Sequence, residues 1–194
     1  MRLIAVCLLA SALIPSLGRA QDVPVFAITP VQSSIKFDVK ASVPIAGTFD
    51  NWNATLTFTS TDVTTGVLNV EIQAATVDTG SGMKNSKLKS SDFFDAANNP
   101  LITFKSTNIS QTGPNTFEVD GNFTIRGVTR LEKLTLTVSG VGTGSGQIKG
   151  TLYFDRKDYG MNSGIPFIRI ANRVEVNVDL KGTRVSGPPL VLKQ

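Results

Sequence analysis

Two residue types are nearly absent from this chain of 194 amino acids: it has no histidine, and Cys7 is its one cysteine. Cys7 lies in an apolar leader that is expected to be removed, and it sits too early, with no small residue before it, to serve for lipid attachment. Without thiols or imidazoles the remaining chain forms no disulfide and offers no thiolate nucleophile, no serine–histidine relay and no metal site of imidazole or sulfur ligands. Catalysis would fall to carboxylates, lysine or tyrosine. No cofactor and no metal is expected.

Long apolar runs are also missing. Leu3 to Leu13 follows a basic start, and Gly18-Arg19-Ala20 places small residues where a signal peptidase reads. Residues 1–20 are therefore read as a signal peptide, cleaved after Ala20. The run is too short for a membrane span, and no later stretch approaches the roughly 20 apolar residues a span needs. An exported product follows, of one domain over residues 21–185 and a loose tail over residues 186–194 that opens with Gly187-Pro188-Pro189. Without Arg2 and Arg19, the 19 basic residues fall to seventeen against 15 acidic ones, a net +2. So small a charge argues against a nucleic-acid partner. A homodimer stays open.

What the sequence has in plenty is alternation. Ile35, Phe37 and Val39 alternate with Lys36, Asp38 and Lys40, the period of a strand with one dry face. The pattern returns around Leu56–Phe58, Leu68–Ile72, Ile102–Phe104, Phe117–Ile125, Leu134–Val138, Leu152–Phe154 and Val174–Leu180. Eight one-sided strands without a long amphipathic helix must bury their dry faces on one another, as a closed sheet or a sandwich. Short Gly-, Asn- and Pro-containing links favour antiparallel neighbours. Gly121 falls on the dry face of the longest strand, where a missing side chain marks a bend or a close approach.

The stretch from Leu88 to Phe104 breaks the pattern. A helical turn over Met83–Lys89 leads to Asp92 and two phenylalanines, and Pro100 ends it before the next strand. Phe93 and Phe94 arrive outside any strand and are placed to plug one end of the sheet. Asp92 and Asp95, a close carboxylate pair beside aromatics, have the residue types of a glycoside hydrolase. Three apart in a turn, they read better as acceptors of backbone N–H groups that guide the chain into the strand. The glycine-rich Gly142–Gly146 lacks the Lys-Ser/Thr and the helix of a phosphate loop, and reads as a hairpin turn.

Several segments together resemble the YceI-like family of exported lipocalin-like proteins. They are Leu88-Lys89-Ser90, Asp92-Phe93-Phe94-Asp95-Ala96, Pro100 with Ile102, Phe104 and Ser106, then GNFTIRGV from Gly121 to Val128 and RKDYGM from Arg156 to Met161. Gly47 with Phe49, and Thr79, also fit. The chain departs from the family at Thr29 and Gln32, where an acid and a histidine are usual, and at Lys84-Asn85-Ser86-Lys87, where R-D-x-H is common.

The resemblance implies an all-β, lipocalin-like antiparallel barrel of about eight strands with one short helix near a barrel end. It further implies a non-enzymatic periplasmic carrier whose partner is a long-chain lipid or isoprenoid. By alternation alone the inward phenylalanines read first as a filled core, the mark of a structural β-domain. The resemblance favours a lumen lined by Phe37, Phe49, Phe58, Phe93, Phe94, Phe104, Phe123, Phe154 and Val176. At ~0.8 kcal/mol per buried CH₂, ten methylenes supply about 8 kcal/mol, near micromolar affinity before ordering costs. Lys84, Lys87 and Lys89, with Arg126 and Arg156, are candidates to face an anionic head group, though a lysine run is more often a solvated face.

Overall fold

Each half-dry strand found its neighbours in a single antiparallel sheet. The computed structural model describes residues 23–140, 143–164 and 167–192, so the signal-peptide reading lies outside the described residues. The described residues form eleven strands: β1 (Val25–Ile28), β2 (Ser34–Ala41), β3 (Ile45–Phe49), β4 (Trp52–Thr57), β5 (Val67–Gln73), β6 (Val77–Asp78), β7 (Leu101–Gln111), β8 (Thr116–Ile125), β9 (Val128–Ser139), β10 (Ser145–Asp155) and β11 (Ile170–Ser186). The order across the sheet is β4-β5-β7-β8-β9-β10-β11-β2-β3-β6, with β1 added antiparallel beside β11.

The eight alternating segments became β2, β4, β5 and β7 to β11. The count of about eight falls short by β1, β3 and β6, which have four, five and two residues and are too short to show a period.

The two ends of this order meet. β3 runs into β4 across Asp50-Asn51, and β5 runs into β6 across the 3₁₀ turn Ala74–Thr76. Asp50 N donates to Thr76 O at 3.3 Å and Gln73 N to Asn51 O at 3.0 Å, so the two corners are bonded to each other. The result is one bent ribbon that returns the sheet to its starting edge, the lipocalin-like curl that the resemblance implied. Inside it lie the dry faces, with Val119, Ile35, Leu68, Phe117 and Ile125 all deeply buried. At roughly 1.5–3 kcal/mol for each fully buried large apolar side chain, this inner face dominates the stability.

Helix α1 (Gly82–Lys89) covers one end of the barrel and buries only Leu88. Its start is pinned by Asn85, whose Oδ1 accepts from Thr79 N (2.8 Å) and Thr79 Oγ1 (2.7 Å) while its Nδ2 donates to Asp78 Oδ1 (3.0 Å). Lys87 and Lys89 in the last turn suit the negative end of the helix dipole. Turns then carry Phe93 and Phe94 inward as expected: Phe94 N donates to Leu88 O (2.9 Å) and Ala96 N to Lys89 O (3.0 Å).

The opposite end is crossed by the segment after Ser186, which is bonded where a loose tail was expected. Val191 N donates to Thr61 O at 2.8 Å and forms a bridge with Asp62, and Leu192 packs on the core.

Candidate functional site

The barrel interior holds two apolar chambers placed end to end. The helix-end chamber has about 70 Å³ open to the centre of a water-sized sphere. Its walls are Phe37, Phe49, Phe93, Phe94, Phe123, Phe154 and aliphatic residues including Ile35, Ile45, Ile72 and Val176. The tail-end chamber has about 110 Å³ by the same measure, and is lined by Phe26, Phe58, Phe117 and mainly aliphatic residues, among them Leu56, Leu136, Leu180, Leu190 and Leu192. A water-sized guest needs roughly 10–15 Å³ of such space, so each chamber has room for several carbon groups. The helix-end chamber presents no polar surface at all, and the tail-end chamber only a little at its rim.

The aromatic walls interlock. The ring centroids of Phe37, Phe49 and Phe94 stand 5.6–6.3 Å apart. Those of Phe123, Phe154 and Tyr159 stand 5.2–5.6 Å apart at steep angles, the edge-to-face range that aromatic pairs prefer. Tyr159 donates its hydroxyl to Glu132 Oε1 at 2.7 Å. Burial pushes the Glu132 carboxyl up despite that bond, and burial first, then the Glu132 bond, pushes the tyrosine up as well.

Of the residues expected to line a lumen, Phe37, Phe49, Phe93, Phe94, Phe123, Phe154 and Val176 surround the helix-end chamber, and Phe58 the tail-end one. Phe104 lines neither. It stands on the inward face of β7 between them, in register with Val70 and Phe123. Gly121 makes the close approach its position suggested: a Cβ there would lie 2.7 Å from Phe104 Cε2. Sequence reasoning left out Phe26, Leu190 and Leu192. The signal for the last two was the brief alternation Leu190-Val191-Leu192.

Lys87, Arg126 and Arg156 come together around Asp92 and Ser163, while Lys84 and Lys89 are engaged elsewhere. Arg126, in the left-handed region at φ 53, donates to Gly160 O and, at 2.9 Å, to Ser91 O. Arg156 is buried and donates to Met161 O, Ser163 O (3.0 Å) and Ala171 O (3.2 Å). Lys84 Nζ donates to Pro44 O (3.2 Å), Lys87 pairs with Asp92, and Lys89 lies near Asp78, whose carboxyl is lowered chiefly by its bond from Asn85 and least by this lysine. Each arginine ties loop backbone together around the helix end.

Asp92 and Asp95 take side-chain donors rather than the backbone N–H groups expected. Asp92 accepts from Lys87 Nζ and from Ser163 Oγ (2.9 Å), bonds that hold its carboxyl below the usual range. Asp95, at φ 50, accepts from Asn98 Nδ2 and Asn99 Nδ2, both at 3.0 Å. A general acid needs a raised pKa, so the lowered Asp92 suits a structural ion pair.

Among known proteins, the Burkholderia cenocepacia protein BcnA superposes with a TM-score of 0.73 at 26% identity, over 80% of this chain and 99% of that one. A polyisoprenoid-binding domain from Saccharophagus degradans shares the fold, with a TM-score of 0.66 at 16% identity over 83% of this chain. In sequence, a UPF0312 protein of Pseudomonas savastanoi is 34% identical over 98 residues, half of this chain and 51% of the relative, so the chain spans about half the length of that relative. A UPF0312 protein of Shewanella sp. ANA-3 is 26% identical over 147 residues, 72% of this chain and 75% of the relative. The YceI-like domain family matches residues 26–182, nearly the whole barrel from β1 into β11, and the chain belongs to that family.

Proposed function

We propose that this protein is a non-enzymatic carrier that holds a long apolar molecule, an isoprenoid or related lipid, along the axis of its barrel, and that it works in the periplasm. The observation that carries this reading is the pair of apolar chambers inside one curled antiparallel sheet. A structural β-domain with a filled core has no need of such space, since interiors otherwise pack to crystal-like density. Family membership and the fold shared with a polyisoprenoid-binding domain support the ligand class. The leader of residues 1–20 supports export, and an N-terminus at Gln21 in protein recovered from the periplasmic fraction tests that part.

The ligand test is native mass spectrometry of protein purified without detergent, followed by organic extraction and titration of the stripped protein with prenyl alcohols. A co-purifying hydrophobic species, or saturable one-to-one binding, is the expected result. A bare protein that takes up no prenyl alcohol would leave the structural β-domain as the reading.

A further inference from the structure

We infer that Phe104, seated on Gly121, is the partition between the two chambers and selects the guest by chain length. The inference rests on the carrier reading above. Among the described residues, none lines both chambers. Between them lie buried inward side chains that line neither, Val70, Phe104, Val119, Leu134 and Leu152, and Phe104 is the largest.

The position of its ring depends on a missing side chain. Gly121 is directly opposite Ser106, two residues along β7 from Phe104, and both point inward. The ring occupies the space a Cβ at residue 121 would fill, close by Cζ and 2.7 Å from Cε2, with Lys105 O at 2.9 Å on the backbone side. Backbone cannot yield there, so any larger residue at 121 drives the ring toward the barrel axis. The neighbouring Ser106 is buried and lines neither chamber, and its Oγ accepts from Leu68 N at 2.9 Å. The waist therefore sorts guests by thickness and length alone. A short chain fills one chamber without passing the ring. A long chain spans both only while the ring keeps its seat against Gly121.

The experiment compares farnesol with a long polyprenol by competitive displacement of a fluorescent fatty-acid probe. The proteins are the wild type, Gly121→Ala, Phe104→Ala and the double variant, each checked for folding by circular dichroism. Wild type binds both alcohols. Gly121→Ala weakens the polyprenol about tenfold or more and farnesol less than about twofold, and adding Phe104→Ala restores the polyprenol. Phe104→Ala alone, which adds no bulk, raises the ratio of polyprenol to farnesol affinity about tenfold. Equal effects on the two alcohols in Gly121→Ala, no rescue in the double variant, or an unchanged ratio in Phe104→Ala would overturn the partition while leaving the carrier intact. Failure of wild type to bind either alcohol would instead overturn the carrier reading, and the partition with it.

Discussion

The two ends of the barrel do similar work with different materials. At the helix end the rings of Phe37, Phe49 and Phe94 form one cluster and those of Phe123, Phe154 and Tyr159 another, and Arg126 and Arg156 tie the surrounding loops by their carbonyl oxygens. At the tail end the walls are mostly aliphatic, the rim contains Gly140, Gly144 and Gly146, and a short terminal segment closes it through few bonds. Rings locked edge to face have little freedom, whereas leucines on a glycine-edged rim adjust at low cost. The contrast makes the helix end the rigid template and the tail end the adaptable one.

The largest test of that contrast is Phe94→Ala, which removes a ring in contact with Phe37 and Phe49. Urea denaturation should show a loss of about 3–5 kcal/mol. Ending the chain after Ser186 removes the half-buried Leu190 and Leu192 from the other end and should cost only about 1–2 kcal/mol. Equal costs at the two ends would erase the distinction.

Smaller effects concern pH. Because the Asp92 carboxyl is held below its ordinary value, chiefly by Lys87 and then Ser163, its contribution is complete above the usual carboxylate range and is lost as pH falls through its lowered folded value. Thermal melts of Asp92→Asn should therefore start below wild type at neutral pH and converge with it in strong acid. Glu132 has the opposite sign. Its folded pKa is raised, so the unfolded chain releases the proton first, and stability falls as pH climbs from the ordinary glutamate value through the raised one. Glu132→Gln keeps an acceptor for Tyr159 and should flatten that slope, the smallest change of the four.

How much of this was readable beforehand follows from length and periodicity. Strands such as β8, whose burial alternates almost without fault from Phe117 to Ile125, announce themselves because ten residues give five inward positions. β3, β6 and the Leu190–Leu192 stretch give one or two, too few to separate from chance. The inward phenylalanines and the empty place at Gly121 were legible for the same reason. Division into two chambers was not, since it depends on which way the Phe104 ring leans and on what faces it across the barrel. The cations were easy to find but not to place: the acceptors of Arg126 and Arg156 are carbonyls of Gly160, Ser91, Met161, Ser163 and Ala171, and a backbone oxygen leaves no mark in a sequence.

Because β1 lies beside the last strand with Val25 opposite Ser186, the backbone at Val23 rests against Gly187, which takes a left-handed φ of 77°. Both termini of the described chain thus leave from the same pole. A cargo, label or tether fused to either one would trail from that pole and leave the α1 face free to meet other molecules. Joining the two by a short linker and opening the chain between β9 and β10 should yield a circular permutant with the same barrel.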